Sequence, residues 1–161
     1  MPYSYIEHVS DVGIRAEGKA LEDAFESGAE AMLNVMFNLE TIEHTIKITF
    51  GADAPDLAAL FVEVLNEVLS IQDRHSLAVK SLKVDEIKKT AAGHIFIGTL
   101  YGEPFDRQKH EVKTEVKAAT YSGLKYIPPT HAAHGYPATP LPQGERENID
   151  ETHVFECIID V

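Results

Sequence analysis

The sequence predicts an α+β fold in which two helices pack on a mostly antiparallel sheet. Two segments carry apolar residues at helical spacing: residues 21–37 and a stripe from Leu57 to Leu69. Elsewhere the spacing changes to two, as in residues 41–50, which is typical of strands that bury one face. A final apolar run, residues 154–159, also has the character of a strand. These features favour helices covering a sheet.

Each element can be placed along the chain from its local residues. Asp53 is the expected cap of the second helix, with Pro55 and Asp56 in its first turn. A longer loop, residues 88–93, is expected to join two strands into a hairpin. Residues 128–150 hold five of the eight prolines and predict an irregular, proline-rich loop. The predicted strands are residues 3–7, 12–18, 41–50, 77–87, 94–101, a stretch within 111–127, and 152–161.

The chain is expected to form a single domain over residues 1–161, which is long enough to bury a real core. The order of elements can be divided into two similar strand-helix-strand-strand units, one nested within the other. The inner unit spans about residues 41–101. It is inserted into an outer unit made of residues 1–40 and 102–161.

Composition narrows the classes of function and partner. The net charge of -12 argues against a protein that binds nucleic acid directly, because phosphate binding needs clustered lysine and arginine. No segment approaches membrane-spanning length, and no basic region followed by an apolar one opens the chain. A single cysteine, Cys157, suits a reducing compartment and has the surroundings of a core residue. We therefore expect a soluble cytoplasmic protein.

Two acidic residues near opposite ends of the chain suggest a cation site. Asp160 and Val161 follow the last predicted strand, and His8 and Asp11 share a polar tetrad between the first two strands. If Asp11 meets the chain end, its carboxylate, that of Asp160 and the terminal carboxylate converge. Such a cluster of three acidic groups needs a cation. Because side chains alternate along a strand, Asp160 and Val161 cannot both bind an ion through their side chains. The alternatives are an ordinary turn around Asp11 and a solvated chain end.

The other histidines provide weaker candidates for a site. His44 falls on the apolar face of a predicted strand, where a packed histidine is the favoured interpretation. His131, His134 and His153 suggest zinc, but no cysteine or carboxylate stands at a zinc-motif spacing around them. We therefore do not predict a zinc site.

The sequence lacks the motifs that would predict an enzyme. It has no phosphate-binding glycine-rich loop, no nucleophile elbow and no cysteine beside a plausible base. Lys117 lies among small apolar residues in the segment 115–121, where a surface lysine is the ordinary interpretation. None of these features by itself indicates catalysis.

Three separated motifs together resemble the archease family. They are His8-x-x-Asp11-x-Gly13, the segment 115–121 with Gly123-Leu124, and Asp160-Val161. The resemblance spans nearly the whole chain and implies one SHS2-type strand-helix-strand-strand unit inserted in another. It also implies a protein that is not itself an enzyme. Family members activate the RtcB-type RNA ligase in tRNA splicing and RNA repair, by promoting its guanylylation and multiple turnover.

The resemblance assigns roles to individual residues. Asp11 and Asp160 match metal-ligand aspartates, and Val161 matches a residue that gives main-chain oxygen. Lys117 matches a lysine implicated in ligase activation. Oxygen ligands favour a hard divalent cation, calcium first, with magnesium or manganese as alternatives. The ion is expected either to pin the terminal strand or to be presented to the ligase active site. Both uses need the free chain end, so extending the chain past Val161 is expected to weaken metal binding and ligase activation.

The chain shares two further motif positions with the family and departs from it in one loop. His8 and Tyr121 match motif positions, and we expect only supporting roles for them. The proline-rich loop 128–150 is longer than the modest polar loop usual in the family. The expected partner is the ligase, with RNA engaged only indirectly through it and no membrane involved.

Three alternative functions remain open from the sequence. One is a chaperone-like modulator of RNA-modifying enzymes. Another is a metal-dependent hydrolase or phosphotransferase built on the same acidic cluster, although nothing in the sequence offers a nucleophile. The third is a small-molecule binding module, because strand-helix-strand-strand folds host several functions.

Overall fold

A computed structural model describes residues 2–7, 11–129 and 152–161 of the chain. His8 and nearly all of the predicted proline-rich loop, including His131 and His134, lie outside the described residues. No helix among the described residues is long and apolar enough to cross a membrane. The elements are β1 (Tyr3–Glu7), β2 (Asp11–Gly18), α1 (Leu21–Met36), a 3-10 turn (Leu39–Thr41), β3 (Ile46–Ala54), α2 (Leu57–Arg74), β4 (Leu77–Thr90), β5 (Gly93–Pro104), β6 (Ala118–Ile127) and β7 (His153–Asp160).

The described strands form two antiparallel sheets. One has four strands in the order β1-β2-β7-β6, and the other has three in the order β3-β5-β4. Both helices pack against strands of both sheets. The predicted α+β class, with two helices on antiparallel sheet, is therefore confirmed. The three-stranded sheet and α2 come from one continuous stretch of chain, residues 46–104, and the four-stranded sheet from the segments on either side of it.

A cluster of four phenylalanines joins the helices to both sheets. Phe25 of α1, Phe61 of α2, Phe96 of β5 and Phe155 of β7 are each at most 1% exposed. The rings of Phe61 and Phe155 stack with their centroids 4.6 Å apart. Gly28 lets α1 approach this cluster, because a Cβ there would lie 2.4 Å from the Phe61 ring. The sheets and helices thus share one core, which holds the four-stranded sheet in place.

The start of α2 differs from the prediction. Asp56, not Asp53, is the N-cap: its Oδ1 accepts a hydrogen bond from the backbone N–H of Ala59 at 2.8 Å. Asp53 lies within β3, which continues to Ala54. The expected cap was wrong because the strand extends almost to the helix, leaving only Pro55 and Asp56 between them.

The strand predicted at residues 41–50 begins later than expected. The Asn38 side chain accepts from Glu40 N at 3.2 Å, and Thr41 Oγ1 donates to Asn38 O at 2.7 Å. These local bonds stabilise a 3-10 turn and compete with the strand. His44 consequently precedes β3 and is exposed, with the edge of its ring against Tyr101. The prediction of a packed strand histidine was wrong.

The hairpin between β4 and β5 is tighter than predicted. Only Ala91 and Ala92 separate the strands, because Lys88 pairs with Ile95 and Lys89 with His94. Gly93 has φ +150°, a conformation that other residues rarely adopt, and a Cβ there would lie 2.3 Å from the Ala54 carbonyl oxygen. The longer loop was wrong because exposed lysines in the strand ends mimic a loop composition.

Candidate metal centre

Asp11 and Asp160 lie directly opposite each other in the antiparallel pair of β2 and β7. Ile14 on β2 and Ile159 on β7 are fully buried, so these strands turn one face to the core. Because side chains alternate along a strand, Asp11 and Asp160 belong to the opposite, solvent face. Both residues are partly exposed. The sheet therefore brings these two predicted site residues together.

The pair of carboxylates has no basic partner among the described residues. Like charges directly opposite each other on neighbouring strands destabilise a sheet. Arg15 is on the same face, but its guanidinium binds Glu156 at 2.6 Å and Glu17 at 3.0 Å. A cation between the two aspartates would relieve their repulsion.

The described residues offer few donors for a metal. Among the described residues, no group of three or more histidine, cysteine, aspartate or glutamate side chains could hold a metal. The side chain of Val161 is half-buried against the core and has no donor atom, so only its main-chain oxygen could bind an ion. Two carboxylates and one carbonyl-type oxygen suit a hard cation, which takes its remaining ligands from water or a partner.

Lys117 is tied to this site through its main chain. Its N–H donates to the Asp160 carbonyl oxygen at 2.8 Å, and the next residue, Ala118, pairs with Asp160 in β6 and β7. The side chain of Lys117 is exposed and lines an open cleft of about 680 Å³ beside α2, together with Phe105. The cationic group is thus free to meet a partner.

Asn66 of α2 was missed by the sequence analysis. Its Nδ2 donates to the Ala119 carbonyl oxygen at 3.0 Å, and its Oδ1 accepts from the Ala119 N–H at 2.8 Å. One side chain therefore satisfies both backbone groups of the second residue in β6. The available signal was an amide set between the apolar residues Leu65 and Val68 of the helical stripe.

Tyr121 contacts α2, where its hydroxyl donates a short hydrogen bond to a Glu63 carboxylate oxygen. This bond, followed by partial desolvation and the charge of Glu63, raises the pKa of Tyr121 to about 12. The β6–β7 pairing is interrupted between Thr120 and Lys125, and Gly123 there has φ +64°. Tyr121 therefore occupies an irregular part of β6.

The remaining candidate residues lie away from the carboxylate pair. The ring of His153 stacks on Tyr126, whose hydroxyl is 2.7 Å from His153 Nδ1, and burial lowers the pKa of this histidine. Cys157 is 2% exposed, as predicted for a core residue, and burial raises the pKa of its thiol to about 12. Neither residue belongs to the candidate metal centre.

A second polar cluster, also missed by the sequence analysis, is formed by Glu103, Lys109 and His110. His110 is 1% exposed, and its Nδ1 accepts from the Asp106 N–H at 3.0 Å. Its Nε2 therefore carries the proton that is donated to Glu103 Oε1 at 2.6 Å. Hydrogen bonds from Lys109 and then His110 hold the pKa of Glu103 at about 2. This cluster fixes the turn after β5.

Comparison with known proteins identifies the family. The model of the Archease protein family (MTH1598/TM1083) matches residues 3–137. The chain belongs to the archease family. Protein archease of Pyrococcus furiosus is 39% identical over 123 residues, 76% of this chain and 86% of the relative. Protein archease of Methanosarcina barkeri is 30% identical over 136 residues, which cover 84% and 91% of the two chains.

A solved structure extends the similarity to the last strand. The solution structure of Methanobacterium thermoautotrophicum protein 1598 is 25% identical and has a TM-score of 0.74, covering 99% of each chain. The match to the archease family model ends before β7. The structural similarity, by contrast, includes β7 and thus the strand that carries Asp160.

Proposed function

We propose that this archease family member binds a divalent cation at Asp11, Asp160 and the main-chain oxygen of Val161, and that it activates an RtcB-type RNA ligase. The activation consists of promoting guanylylation of the ligase and its multiple turnover in tRNA splicing and RNA repair. In this role the chain catalyses no reaction itself, and it meets RNA only through the ligase.

The observation that carries the proposal is the pairing of Asp11 with Asp160 across β2 and β7. Two carboxylates opposite each other on one face, without a basic partner among the described residues, repel each other, and a cation that binds both would relieve that repulsion. Membership of the archease family supports the same assignment. The pairing supports a position for the proposed ion beside the start of β2 and the end of β7.

Calcium is the first choice of ion, with magnesium or manganese as alternatives. Calcium takes six to eight oxygen ligands in flexible geometry, whereas magnesium demands a near-ideal octahedron. Because both aspartates are partly exposed, water or a ligase group can supply the ligands that the chain does not.

Lys117 is the proposed contact for activation. Its exposed ammonium can approach a nucleotide phosphate or a ligase carboxylate, while its N–H stays bonded to Asp160. The lysine therefore lies just before β6, beside the end of β7 that carries Asp160.

The test combines the purified chain, an RtcB-type ligase, GTP, a divalent metal and RNA with broken ends. We expect the chain to speed ligase guanylylation and to permit several turnovers. The double variant Asp11→Asn, Asp160→Asn is expected to do neither. Absence of stimulation by the unaltered chain would overturn the proposal, and turnover of RNA or nucleotide without the ligase would favour a hydrolase instead.

A further inference from the structure

We propose that Asn66 is a positioning residue for the candidate metal centre. Its carboxamide holds the start of β6 against α2 and thereby aligns Ala118 and Lys117 with Asp160. The inference rests on the proposed function, because it assigns Asn66 a part in the metal site proposed above.

The contact between Asn66 and β6 has the form of a clamp. Both hydrogen bonds of the carboxamide go to one residue, Ala119. Nδ2 donates to the Ala119 carbonyl oxygen at 3.0 Å, and Oδ1 accepts from the Ala119 N–H at 2.8 Å. A carboxamide offers a donor and an acceptor side by side, so it can satisfy a residue's two main-chain groups at once. Ala119 is 4% exposed, so little water is available to replace these bonds.

The clamp matters because the pairing of β6 with β7 is interrupted. Its regular pairing with β7 covers residues 118–120, is interrupted, and resumes only at Lys125. The segment just before it, residues 113–117, has no regular structure. Asn66 therefore contacts the short paired stretch that lies beside Asp160.

The alignment runs from α2 to the carboxylate in short steps. Asn66 binds Ala119, Ala118 pairs with Asp160, and Lys117 N–H donates to the Asp160 carbonyl oxygen at 2.8 Å. A shift of β6 would move the main chain of Asp160 and change its distance from Asp11. Groups that orient a metal ligand without touching the metal commonly affect its affinity.

The same helix provides a matched control. Gln72 of α2 also uses its amide to bind a strand: Oε1 accepts from the Val79 N–H at 3.0 Å. Val79 belongs to β4 in the three-stranded sheet. Gln72→Ala thus removes a comparable helix-to-strand bond away from the metal centre.

The experiment measures Ca²⁺ binding by calorimetry and the free energy of unfolding by urea for four chains: the unaltered one, Asn66→Ala, Asn66→Asp and Gln72→Ala. We expect Asn66→Ala to weaken Ca²⁺ binding by about 10-fold, the lower end of the usual effect of such supporting residues. Asn66→Asp keeps the acceptor for the Ala119 N–H but sets a carboxylate oxygen against the Ala119 carbonyl oxygen, so it should also weaken Ca²⁺ binding. Gln72→Ala should lose stability while keeping its Ca²⁺ affinity.

Failure of the inference and failure of the proposed function give different results. If the unaltered chain binds no Ca²⁺, Mg²⁺ or Mn²⁺, the proposed metal site is overturned and the role of Asn66 with it. If the unaltered chain binds and Asn66→Ala binds equally well, only the inference is overturned. Equal loss of affinity in Asn66→Ala and Gln72→Ala would indicate general destabilisation and also overturn it. Should Asn66→Ala not fold, Asn66→Asp decides in the same way.

Discussion

Asp11, the first residue of β2, lies directly opposite Asp160, the last residue of β7. The two are separated by most of the chain, so they meet only when the four-stranded sheet has formed. A cation that binds both carboxylates would therefore bind the folded chain and not the unfolded one. Such binding must stabilise the fold in proportion to the logarithm of the ion concentration.

The first prediction concerns the repulsion between these carboxylates. We expect Ca²⁺ to raise the unfolding temperature of the unaltered chain and to have no effect on Asp11→Asn. Without metal, Asp11→Asn should be more stable than the unaltered chain by up to about 1 kcal/mol, because it removes a like-charge pair across two strands. Thermal unfolding with and without Ca²⁺ measures the first effect, and urea unfolding without Ca²⁺ measures the second.

A neutralised aspartate elsewhere provides the control. Asp53 is exposed on β3 in the other sheet, and Asp53→Asn removes the same charge from the chain. It should keep the full response to Ca²⁺. An undiminished Ca²⁺ response in Asp11→Asn would show that the ion binds somewhere else.

The second prediction separates the metal from the lysine. Lys117→Ala should reduce the rate of ligase guanylylation while Ca²⁺ affinity stays unchanged, because the backbone N–H of residue 117 still donates to Asp160. The remaining stimulation should also depend less on salt, since a charged contact has been lost. Guanylylation rates at two ionic strengths and calorimetry with Ca²⁺ give the two readouts.

Lys125 is the matched lysine for this comparison. It is exposed on β6, the strand that follows Lys117, where it pairs with Glu156 beyond the irregular stretch. Lys125→Ala should leave stimulation of the ligase intact. Equal losses for the two alanine variants would mean that only general positive charge matters.

Much of the fold could be predicted because apolar periodicity reports which face is buried. The stripes of α1 and α2 and the run in β7 all follow this rule. The later start of β3 could not be predicted in this way. It depends on local hydrogen bonds of Asn38, which compete with the strand without altering the apolar pattern.

The candidate site, like the fold, could be predicted only in part. Asp11, Asp160 and Lys117 could be named from short motifs, but their alignment depends on pairing between distant strands. Arg15 and Glu156, which are 141 positions apart, meet on the same sheet face. Asn66 was missed because its role comes from a contact with a residue 53 positions away, and an amide beside the apolar stripe of its helix does not by itself identify that partner.

The third prediction concerns acid stability and Glu103. Its pKa lies at about 2 in the folded chain, against 4.5 for an unperturbed glutamate. The folded form favours the ionised carboxylate. The contribution of Glu103 to the free energy of unfolding is therefore fully present above about pH 4.5 and is lost as the pH falls towards 2. Glu103→Gln should therefore be less stable than the unaltered chain at neutral pH, and the difference should shrink in acid.

Urea unfolding midpoints between pH 7 and pH 2 test this prediction. Glu86→Gln, at an exposed position of β4, removes the same charge and should follow the unaltered chain through this range. A constant difference between Glu103→Gln and the unaltered chain at every pH would contradict the assigned role of the carboxylate.

The last prediction concerns alkaline stability and the contact between Tyr121 and Glu63. The pKa of Tyr121 is raised from 10.0 to about 12, chiefly by its hydrogen bond to the carboxylate. The folded form thus holds the phenol proton more tightly than the unfolded chain does. The contribution of Tyr121 to the free energy of unfolding is therefore fully present below pH 10 and is lost as the pH rises towards 12. Tyr121→Phe should remove this part of the alkaline loss. Unfolding midpoints from pH 8 to pH 11.5 measure this loss. Tyr101→Phe is the control, and its midpoint should fall with pH as steeply as that of the unaltered chain. An equally steep fall in Tyr121→Phe would show that Glu63 does not hold the proton in place.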